Sequence, residues 1–434
     1  MTVKEIDHSL FQKRIKNVQK ELSDSDLLLV FAANHKIRNR DVEFKFRQDS
    51  DFYYLTGIVE ADGILFISKQ EAGMFCLPKD KEKEIWTGTR LGKDKIKSLL
   101  KLTKTFDISD WDTEKHNLFL GFTTLYYFFG YDDRRDLDIL RTAREVSLKV
   151  REGKFGPSMI KEPQFLHELR LRKTKEEIDH LMEASRITAK GHIQIMKESK
   201  PGMYEYELEA ILEKIYLENG AWGGGYGHIV ATGKNACILH YVSNTTKLKE
   251  SDLVLVDSGA EYNYYTADVT RVFPAGKKFT EAQKMIYEVV LASGKNAIQY
   301  SKEGTPFNEI HTKTVHFLSD CLRDMGFLSG SLESIIETGS YKKFYMHRTG
   351  HYLGMDVHDV GKYYIDGKSR KLQNGQVMTV EPGLYFDPED GDIPKEFRGI
   401  GIRIEDDIVI SGKNPINLTA SIPKEISEIE ALKQ

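Results

Sequence analysis

The stretch LVLVDSGAEYNYYTADVTR at residues 253–271 carries the clearest fold signal in this chain. Its apolar run LVLV ends in Asp257, a pattern that predicts a strand buried on both faces. Residues 265–271 predict a second strand with Asp268 on one face. A hairpin that turns at 262–263 would bring the two aspartates side by side. Two buried carboxylates repel each other unless a proton or a metal ion lies between them, so the stretch predicts a cation site; the alternative is a polar turn at the end of a sheet.

Two more carboxylates follow apolar, strand-like segments further along the chain. Residues 377–381 predict a strand whose last residue, Glu381, precedes a Pro-Gly turn. Residues 401–405 alternate, so that Arg403 and Glu405 share the face opposite two isoleucines. This alternation places a guanidinium beside the carboxylates, where it can orient one of them through charge-assisted hydrogen bonds.

Several histidines lie close enough in the sequence to serve the same site. His347 and His351 are four residues apart, but two nearby glycines disfavour the helix that a two-histidine zinc motif needs. We therefore expect one histidine ligand, His351, with His347 and His358 as substrate contacts or proton carriers. His240 is either a further pocket residue or a histidine of the core.

Together these positions supply the donors of an oxygen-rich site for two metal ions. The candidate ligands are Asp257, Asp268, His351, Glu381 and Glu405. Carboxylates favour hard or borderline ions such as Mn²⁺ over ions that prefer thiolates. Two ions that share a water lower its pKa and supply hydroxide at neutral pH. The sequence therefore predicts a metal-dependent hydrolase.

Composition narrows the class of protein further. The 434 residues allow two or three domains, and a net charge of -4 argues against nucleic acid as the main partner. No apolar run approaches the roughly 18 residues that span a bilayer. Residues 1–22 mix charge with helical apolar spacing, which is not typical of a secretory signal. Cys76, Cys237 and Cys321 are too far apart for a disulfide framework, so we expect reduced thiols in a cytoplasmic protein with no membrane partner.

Two domains are predicted along the chain. Residues 1–168 are typical of an α/β domain, and the segment 149–163, which has two prolines and no clear period, is the predicted linker. The first domain contains short apolar strands at 27–31, 63–67 and 74–77. Residues 169–434 form the second domain, which opens with a helix capping box at Thr174 and Glu177.

A faint internal repeat lies within the second domain. The segment SKPGMYEYEL at 199–208 resembles SKEGTPFNEI at 301–310, and each lies between two helical stretches that precede sheet-like segments. This similarity indicates two copies of a helix–helix–sheet unit about a pseudo-twofold axis. Chance similarity between two helix boundaries is the alternative.

These residues resemble the Xaa-Pro aminopeptidases (aminopeptidase P) of the pita-bread metallopeptidase superfamily, and the resemblance covers nearly the whole chain. The motifs are FRQDSDFYYLTG at 46–57, WTGTRLG at 86–92, ILHY at 238–241, VDSGAEYNYYTADVTRVFP at 256–274, MHRTGHYLGMDVHDVG at 346–361, VEPGLY at 380–385 and GIRIEDD at 401–407. The resemblance implies a fold of class α/β + α+β. An N-terminal creatinase/aminopeptidase P-like α/β domain would precede a pita-bread catalytic domain with a pseudo-twofold repeat.

The resemblance also implies roles for particular residues. Two Mn²⁺ ions per subunit are implied, with other divalent ions as alternatives, and Asp268 and Glu405 would bridge them. Asp257 would complete the ligands of one ion, while His351 and Glu381 complete those of the other. The substrate-pocket residues implied in this way are His240, His347, His358, Tyr385 and Trp86, with Arg403 supporting the ligands.

Trp86 has two interpretations. The resemblance implies that it reaches the active site of a neighbouring subunit in a homodimer or homotetramer and stacks on a substrate proline. Otherwise it is a half-buried aromatic residue of the first domain.

The implied reaction removes the N-terminal residue from peptides with proline at position two. A hydroxide between the two ions would attack the carbonyl carbon, and Glu381 would carry the proton to the proline nitrogen. His240, His347, His358 and Arg403 would assist. Prolidase, which cleaves Xaa-Pro dipeptides, is the nearest alternative, and a non-catalytic pita-bread binding protein is a more remote one.

Overall fold

The computed structural model of the protein describes residues 7–434, so the first six residues of the N-terminal amphipathic stretch lie outside it. The chain divides into two compact units, Met1–His167 and Glu168–Gln434. Within residues 7–434, no helix combines the length and the apolar character that crossing a bilayer requires.

The first unit is an α/β structure built on a mixed sheet. Its strands are β1 Asp26–Phe31, β2 Ile37–Asn39, β3 Val42–Glu43, β4 Ile64–Ser68, β5 Ala72–Cys76, β6 Lys104–Asp107, β7 Thr124–Tyr126 and β8 Met159–Lys161. Its helices are α1 Ser9–Glu21, α2 Ser50–Thr56, α3 Lys81–Thr87, α4 Gly92–Leu100, α5 Trp111–Phe119 and α6 Asp133–Ser147, with 3₁₀ turns at Ile108–Asp110 and Leu148–Glu152. The main sheet has the order β6-β5-β4-β1-β7-β8, and β1 pairs antiparallel with β4 but parallel with β7.

The predicted strands of this unit are confirmed, but the predicted linker is wrong. Part of the segment 149–163 is strand β8, which pairs in parallel with β7 and so belongs to the sheet. Two residues of the motif FRQDSDFYYLTG make contacts that support the local fold. The Gln48 side chain is 1% exposed and ties Ala33 to Ile58, and Asp49 caps α2 by accepting from the backbone of Phe52.

The second unit begins at Glu168, within helix α7 Gln164–Leu171. Its helices are α8 Lys175–Glu198, α9 Glu205–Glu218, α10 Glu281–Tyr300, α11 Phe307–Asp324, α12 Leu332–Thr338 and α13 Ile426–Leu432, with 3₁₀ turns at Gly233–Cys237 and Ser340–Lys343. Its strands are β9 Ile229–Thr232, β10 Leu253–Asp257, β11 Glu261–Tyr262, β12 Tyr265–Thr266, β13 Thr270–Pro274, β14 Tyr364–Ile365, β15 Lys368–Ser369, β16 Val377–Val380, β17 Gly383–Tyr385, β18 Gly401–Arg403, β19 Asp406–Val409 and β20 Ile416–Asn417.

Two helix pairs, each followed by strands, organise this unit. Helices α8 and α9 precede the sheet β13-β10-β9, and helices α10 and α11 precede the sheet β16-β19-β20. The predicted capping box is present, because Thr174 accepts from the backbone of Glu177 and the Glu177 side chain accepts from the backbone of Thr174. This order of elements is the helix–helix–sheet repeat that the sequence predicts.

The segment that the sequence predicts as one strand at 265–271 is interrupted. Strand β12 pairs with β11 through a turn at Asn263 and Tyr264, both with positive φ, one residue later than predicted. Strand β13 then pairs with β10, with Asp257 opposite Thr270. Asp268 lies between the two short strands because its backbone N–H bonds to the Asp407 carboxylate rather than to a strand.

Candidate active site

A cavity of about 250 Å³ in the second unit is lined by most of the predicted site residues. These are Asp257, Asp268, His351, Glu381, Glu405, His240, His347, His358 and Arg403. The walls between them are apolar and come from Ile229, Leu239, Val242 and Val357. The fold therefore gathers carboxylates and imidazoles from several separate segments around one small pocket.

The aspartates reach the cavity from the hairpin, and a close approach of its two arms brings them together. A Cβ on Gly259 would lie 1.7 Å from the Ala267 carbonyl oxygen, so only glycine allows this spacing. Asp257 and Asp268 are 8% and 5% exposed. The Tyr226 hydroxyl lies within hydrogen-bond reach of both, 2.6 Å from Asp257 Oδ1. It has one hydrogen, so it donates to one aspartate at a time.

His351 is oriented as metal-binding histidines are. Its Nδ1 lies 3.0 Å from the Tyr352 carbonyl oxygen, which can only accept, so Nδ1 carries a hydrogen. Nε2 then points at carboxylates, 3.3 Å from Asp268 Oδ2 and 3.6 Å from Glu381 Oε1. Donor atoms of Asp268, His351 and Glu405 all lie within 4.8 Å of one another. A histidine whose other ring nitrogen donates to a backbone carbonyl is typical of metal sites.

Glu405 follows β18 and is held by the neighbouring strand. Its Oε2 accepts a hydrogen bond of 2.7 Å from the Thr270 hydroxyl, and its backbone carbonyl accepts from the buried Arg271. Glu381 follows β16, and its backbone N–H donates to the Thr349 carbonyl oxygen over 2.8 Å. Both glutamates are thus fixed at the ends of strands whose registers are set by pairing.

A relay of hydrogen bonds runs from Arg403 to His347. Arg403 donates from Nη2 to Asp257 over 2.6 Å and from Nη1 to the Tyr385 hydroxyl oxygen over 2.9 Å. The Tyr385 hydroxyl can then donate to His347 Nε2, 2.9 Å away. The Nδ1 of His347 donates in turn to the Arg348 carbonyl. Both nitrogens of His347 are therefore engaged within the protein.

The charges in the cavity indicate a site that requires cations. Burial raises the pKa of Glu405 well above its usual range and raises that of Glu381 to about 7. Burial alone would lower the pKa of His351, but its hydrogen bond to Asp268 and the charge on Glu381 raise it to about 9. Protons are thus retained where carboxylates crowd together. Because the donors are mostly carboxylate oxygens with one imidazole nitrogen, Nε2 of His351, that faces them, the set fits divalent ions.

His240 and His358 differ from His347 in their surroundings. Both are exposed, and within residues 7–434 neither imidazole has a recorded hydrogen-bond partner, so both are available to a bound molecule. The alternative of a core histidine at position 240 is therefore wrong. The His358 ring packs edge-on against His351, with 4.4 Å between ring centroids.

Trp86 lies in the first unit, on helix α3, and is 87% exposed. The interpretation of this residue as a half-buried aromatic is therefore wrong. Its neighbour Ile85 is 82% exposed, so two large apolar side chains face solvent together.

Tyr226 and Thr270 are residues of the site that sequence reasoning missed. Tyr226 lies in the glycine-rich segment 223–227, whose irregular pattern gives no period from which to place a side chain. The tyrosine among several glycines was the feature of the sequence that could have indicated a site residue, because glycines commonly let the backbone approach a ligand.

The fold and this cavity define a metal-dependent hydrolase of the peptidase type. Residues 179–412 match the model of metallopeptidase family M24, and residues 11–132 match that of the aminopeptidase P N-terminal domain. The chain belongs to metallopeptidase family M24 and, within it, to the Xaa-Pro aminopeptidases.

Similarity to individual relatives extends over the whole chain. An Xaa-Pro aminopeptidase of Escherichia coli is 38% identical, with 99% of this chain and 98% of the relative covered. Human Xaa-Pro aminopeptidase 3 is 30% identical, with 98% and 84% covered. The solved structure of aminopeptidase PepP from Pseudomonas aeruginosa superposes with a TM-score of 0.96 at 39% identity, covering 99% and 98%. A zinc-substituted E. coli aminopeptidase P in complex with product gives 0.95 at 37%, with the same coverage.

Proposed function

We propose that the protein removes the N-terminal residue from peptides whose second residue is proline. The observation that carries this proposal is the convergence of Asp257, Asp268, His351, Glu381 and Glu405 on one cavity. The full-length similarity to Xaa-Pro aminopeptidases supports this substrate class over the dipeptides of prolidase.

The same five residues would hold two divalent ions, and Asp268 and Glu405, whose donor atoms lie close to each other and to His351, would contribute ligands to both. Mn²⁺ is the proposed ion because oxygen donors dominate the set. When bound, the ions supply Lewis acidity, which lowers the pKa of a water and polarises a carbonyl. Arg403 holds Asp257 in place through its hydrogen bond, so that this ligand does not have to order itself on binding.

Proton transfer is assigned to Glu381. Its carboxylate lines the cavity, with Oε1 3.6 Å from His351 Nε2, so it lies beside the place where the ions would hold a water and can serve there as proton acceptor and donor. In this role its Oε atoms take the proton of the attacking water and deliver it to the proline nitrogen. That nitrogen leaves poorly until it is protonated, so the transfer is central to the rate.

The histidines are assigned to binding the substrate. His358 and His240 are available to contact the scissile carbonyl and the developing charge. His347, whose nitrogens are both engaged, orients that wall of the pocket together with Tyr385. The free α-amine of the peptide would lie against the carboxylates, which favours exopeptidase action.

Assembly and location are part of the same proposal. We assign a cytoplasmic location and a homodimer or homotetramer in which Trp86 stacks on the substrate proline in a neighbouring subunit. The exposure of Trp86 and Ile85, at 87% and 82%, supports an interface on α3, because both apolar side chains are available to contact another subunit. Light scattering after size-exclusion chromatography measures the number of subunits.

The deciding experiment compares Arg-Pro-Pro and Gly-Pro as substrates of the Mn²⁺-loaded protein, with a chelated sample as control. Metal-dependent release of arginine from the tripeptide, with little cleavage of the dipeptide, is the expected result. Cleavage of the dipeptide alone would identify a prolidase. No cleavage of either peptide by protein that has bound metal would contradict the proposal and favour a binding protein.

A further inference from the structure

The segment that carries His358 has no regular secondary structure of its own. Residues 353–362 form neither helix nor strand. His358 faces the cavity, and its recorded ring contact is with His351. Since its imidazole has no hydrogen bond within residues 7–434, its position depends on how the flanking backbone is anchored.

The next residue, Asp359, supplies such an anchor. Its carboxylate is buried and accepts from Lys173 Nζ at 2.7 Å and from Arg170 Nη2 at 2.8 Å. Its backbone N–H donates to the Tyr352 carbonyl over 2.9 Å. The packing is tight, because a Cβ on Gly354 would lie 2.2 Å from Asp359 Oδ2.

Both cations are as buried as the carboxylate. The side chains of Lys173, Arg170 and Asp359 are 1%, 3% and 2% exposed. Arg170 also reaches Asp356 at 2.6 Å, so it bonds the same segment on both sides of His358. Burial would raise the pKa of Asp359, but Lys173 and Arg170 keep it below its usual range, so the carboxylate is charged.

Stability alone does not explain so costly an arrangement. Removing three charged groups from water opposes folding, and well-packed apolar residues often replace a buried ion pair without loss of stability. What the pair provides is a fixed geometry, because charge-assisted hydrogen bonds at these distances allow little movement. The residue immediately beside that fixed point is His358.

We propose that Lys173 and Arg170 are positioning residues which, through Asp359, hold the His358 imidazole against the ligand cluster. The inference rests on the proposed role of His358 in the reaction. Neither cation lines the cavity, so both act through the segment that carries His358.

The test is a double-mutant cycle on the Mn²⁺-loaded full-length protein with Arg-Pro-Pro as substrate. Lys173→Met is made alone and in a His358→Ala background, and kcat, KM and Mn²⁺ affinity are measured for each. We expect Lys173→Met alone to lower kcat roughly tenfold with KM and Mn²⁺ affinity little changed. In the His358→Ala background the same change should alter kcat by less than about twofold.

Two further variants guard against a simple loss of folding. Asp359→Asn is nearly isosteric and should show the same dependence on His358. Lys115→Met is the matched control, because Lys115 is also buried and paired with carboxylates, Asp112 and Asp138, but lies in the first unit. It should lower the unfolding midpoint and leave kcat unchanged.

The outcomes distinguish the positioning role of Lys173 and Arg170 from the role of His358 in the reaction. Equal losses of kcat in both backgrounds, or no loss from Lys173→Met alone, would overturn the positioning role. An unchanged kcat in His358→Ala itself would remove the role of His358, and the inference with it.

Discussion

Replacing Arg403 with methionine removes the positive charge that faces Asp257 while filling most of the same volume. Arg403 is 4% exposed and makes three side-chain hydrogen bonds, to Asp257, Tyr385 and the Thr270 hydroxyl. Two of these partners keep another hydrogen bond, because Tyr385 still reaches His347 and Thr270 still donates to Glu405. The energetic cost therefore falls mainly on Asp257.

The magnitude follows from that single uncompensated carboxylate. Removing one partner of a buried ion pair costs about 3–5 kcal/mol. Asp257 retains the hydroxyl of Tyr226 at 2.6 Å, so we expect the lower end, about 3 kcal/mol, in metal-free protein. With a denaturant slope of about 3 kcal/mol per molar urea, the unfolding midpoint of the second unit should fall by about 1 M.

The pH dependence has a defined sign. Burial raises the pKa of Asp257, but Arg403 holds it below its usual range, so its stabilising contribution is present above the pKa of the unfolded chain and is lost as pH falls through the lower folded value. In the variant that pKa rises. The stability difference between the two proteins should therefore be largest near pH 7 and shrink as the medium becomes acidic.

The assay is urea unfolding of chelated protein at several pH values. Arg370→Met is the matched control: Arg370 bonds Glu168 at 2.7 Å, but Glu168 is 37% exposed and can rehydrate, so its loss should cost about 0–1 kcal/mol. Adding Mn²⁺ should reduce the Arg403→Met deficit, because a cation then compensates Asp257. An unchanged midpoint in the metal-free variant would refute the reasoning, since the desolvation of Arg403 would then cancel its attraction to Asp257.

Four other changes have expected outcomes. Glu381→Gln with metal retained should lower kcat about 100-fold or more, and near-normal turnover would rule out its proton transfer. Trp86→Ala should raise KM without altering metal content; an unaltered KM would argue against its contact with substrate. Removing the metal with a chelator should lower the thermal midpoint. Each tenfold increase of Mn²⁺ above its dissociation constant should then add about 1.4 kcal/mol to the free energy of unfolding. A midpoint that does not depend on Mn²⁺ would exclude a bound ion. Burial would raise the pKa of Asp406, but Arg271 and Lys424 hold it below its usual range, so its stabilising contribution is present at neutral pH and declines in acid. Asp406→Asn should therefore destabilise the protein at neutral pH and less near pH 2. Equal losses of stability at the two pH values would contradict the ion pair.

Local patterns in the sequence predicted the elements that carry the ligands. Strand β10 has the predicted bounds, and the capping box of α8 is present. Strand β16 ends at Val380, one residue before the predicted last residue, Glu381. Each of these features depends on residues within a few positions of one another, where side-chain periodicity and capping chemistry act. The roles of the individual site residues stay predictions.

Long-range contacts explain what the sequence did not predict. Strand 265–271 breaks because Asp268 bonds to Asp407, 139 residues away. Segment 149–163 joins the first sheet because β7 offers an edge to β8. Tyr226 belongs to the site through contacts with Asp257 and Asp268, which lie 31 and 42 residues further along the chain. The periodicity of residues within a short segment does not predict such long-range contacts.

The sequence by itself determined the family, the strand that ends in Asp257, the start of helix α8, and the acidic and histidine side chains that the cavity gathers. Motif identity and short-range periodicity are sufficient for these. The tertiary structure decided which ring nitrogen of His351 faces the carboxylates and that Arg403 reaches His347 through Tyr385. It also decided that Asp359 anchors the segment of His358 to Lys173 across 186 residues. Burial and charge pairing set these features, and both depend on residues that become neighbours only when the chain folds.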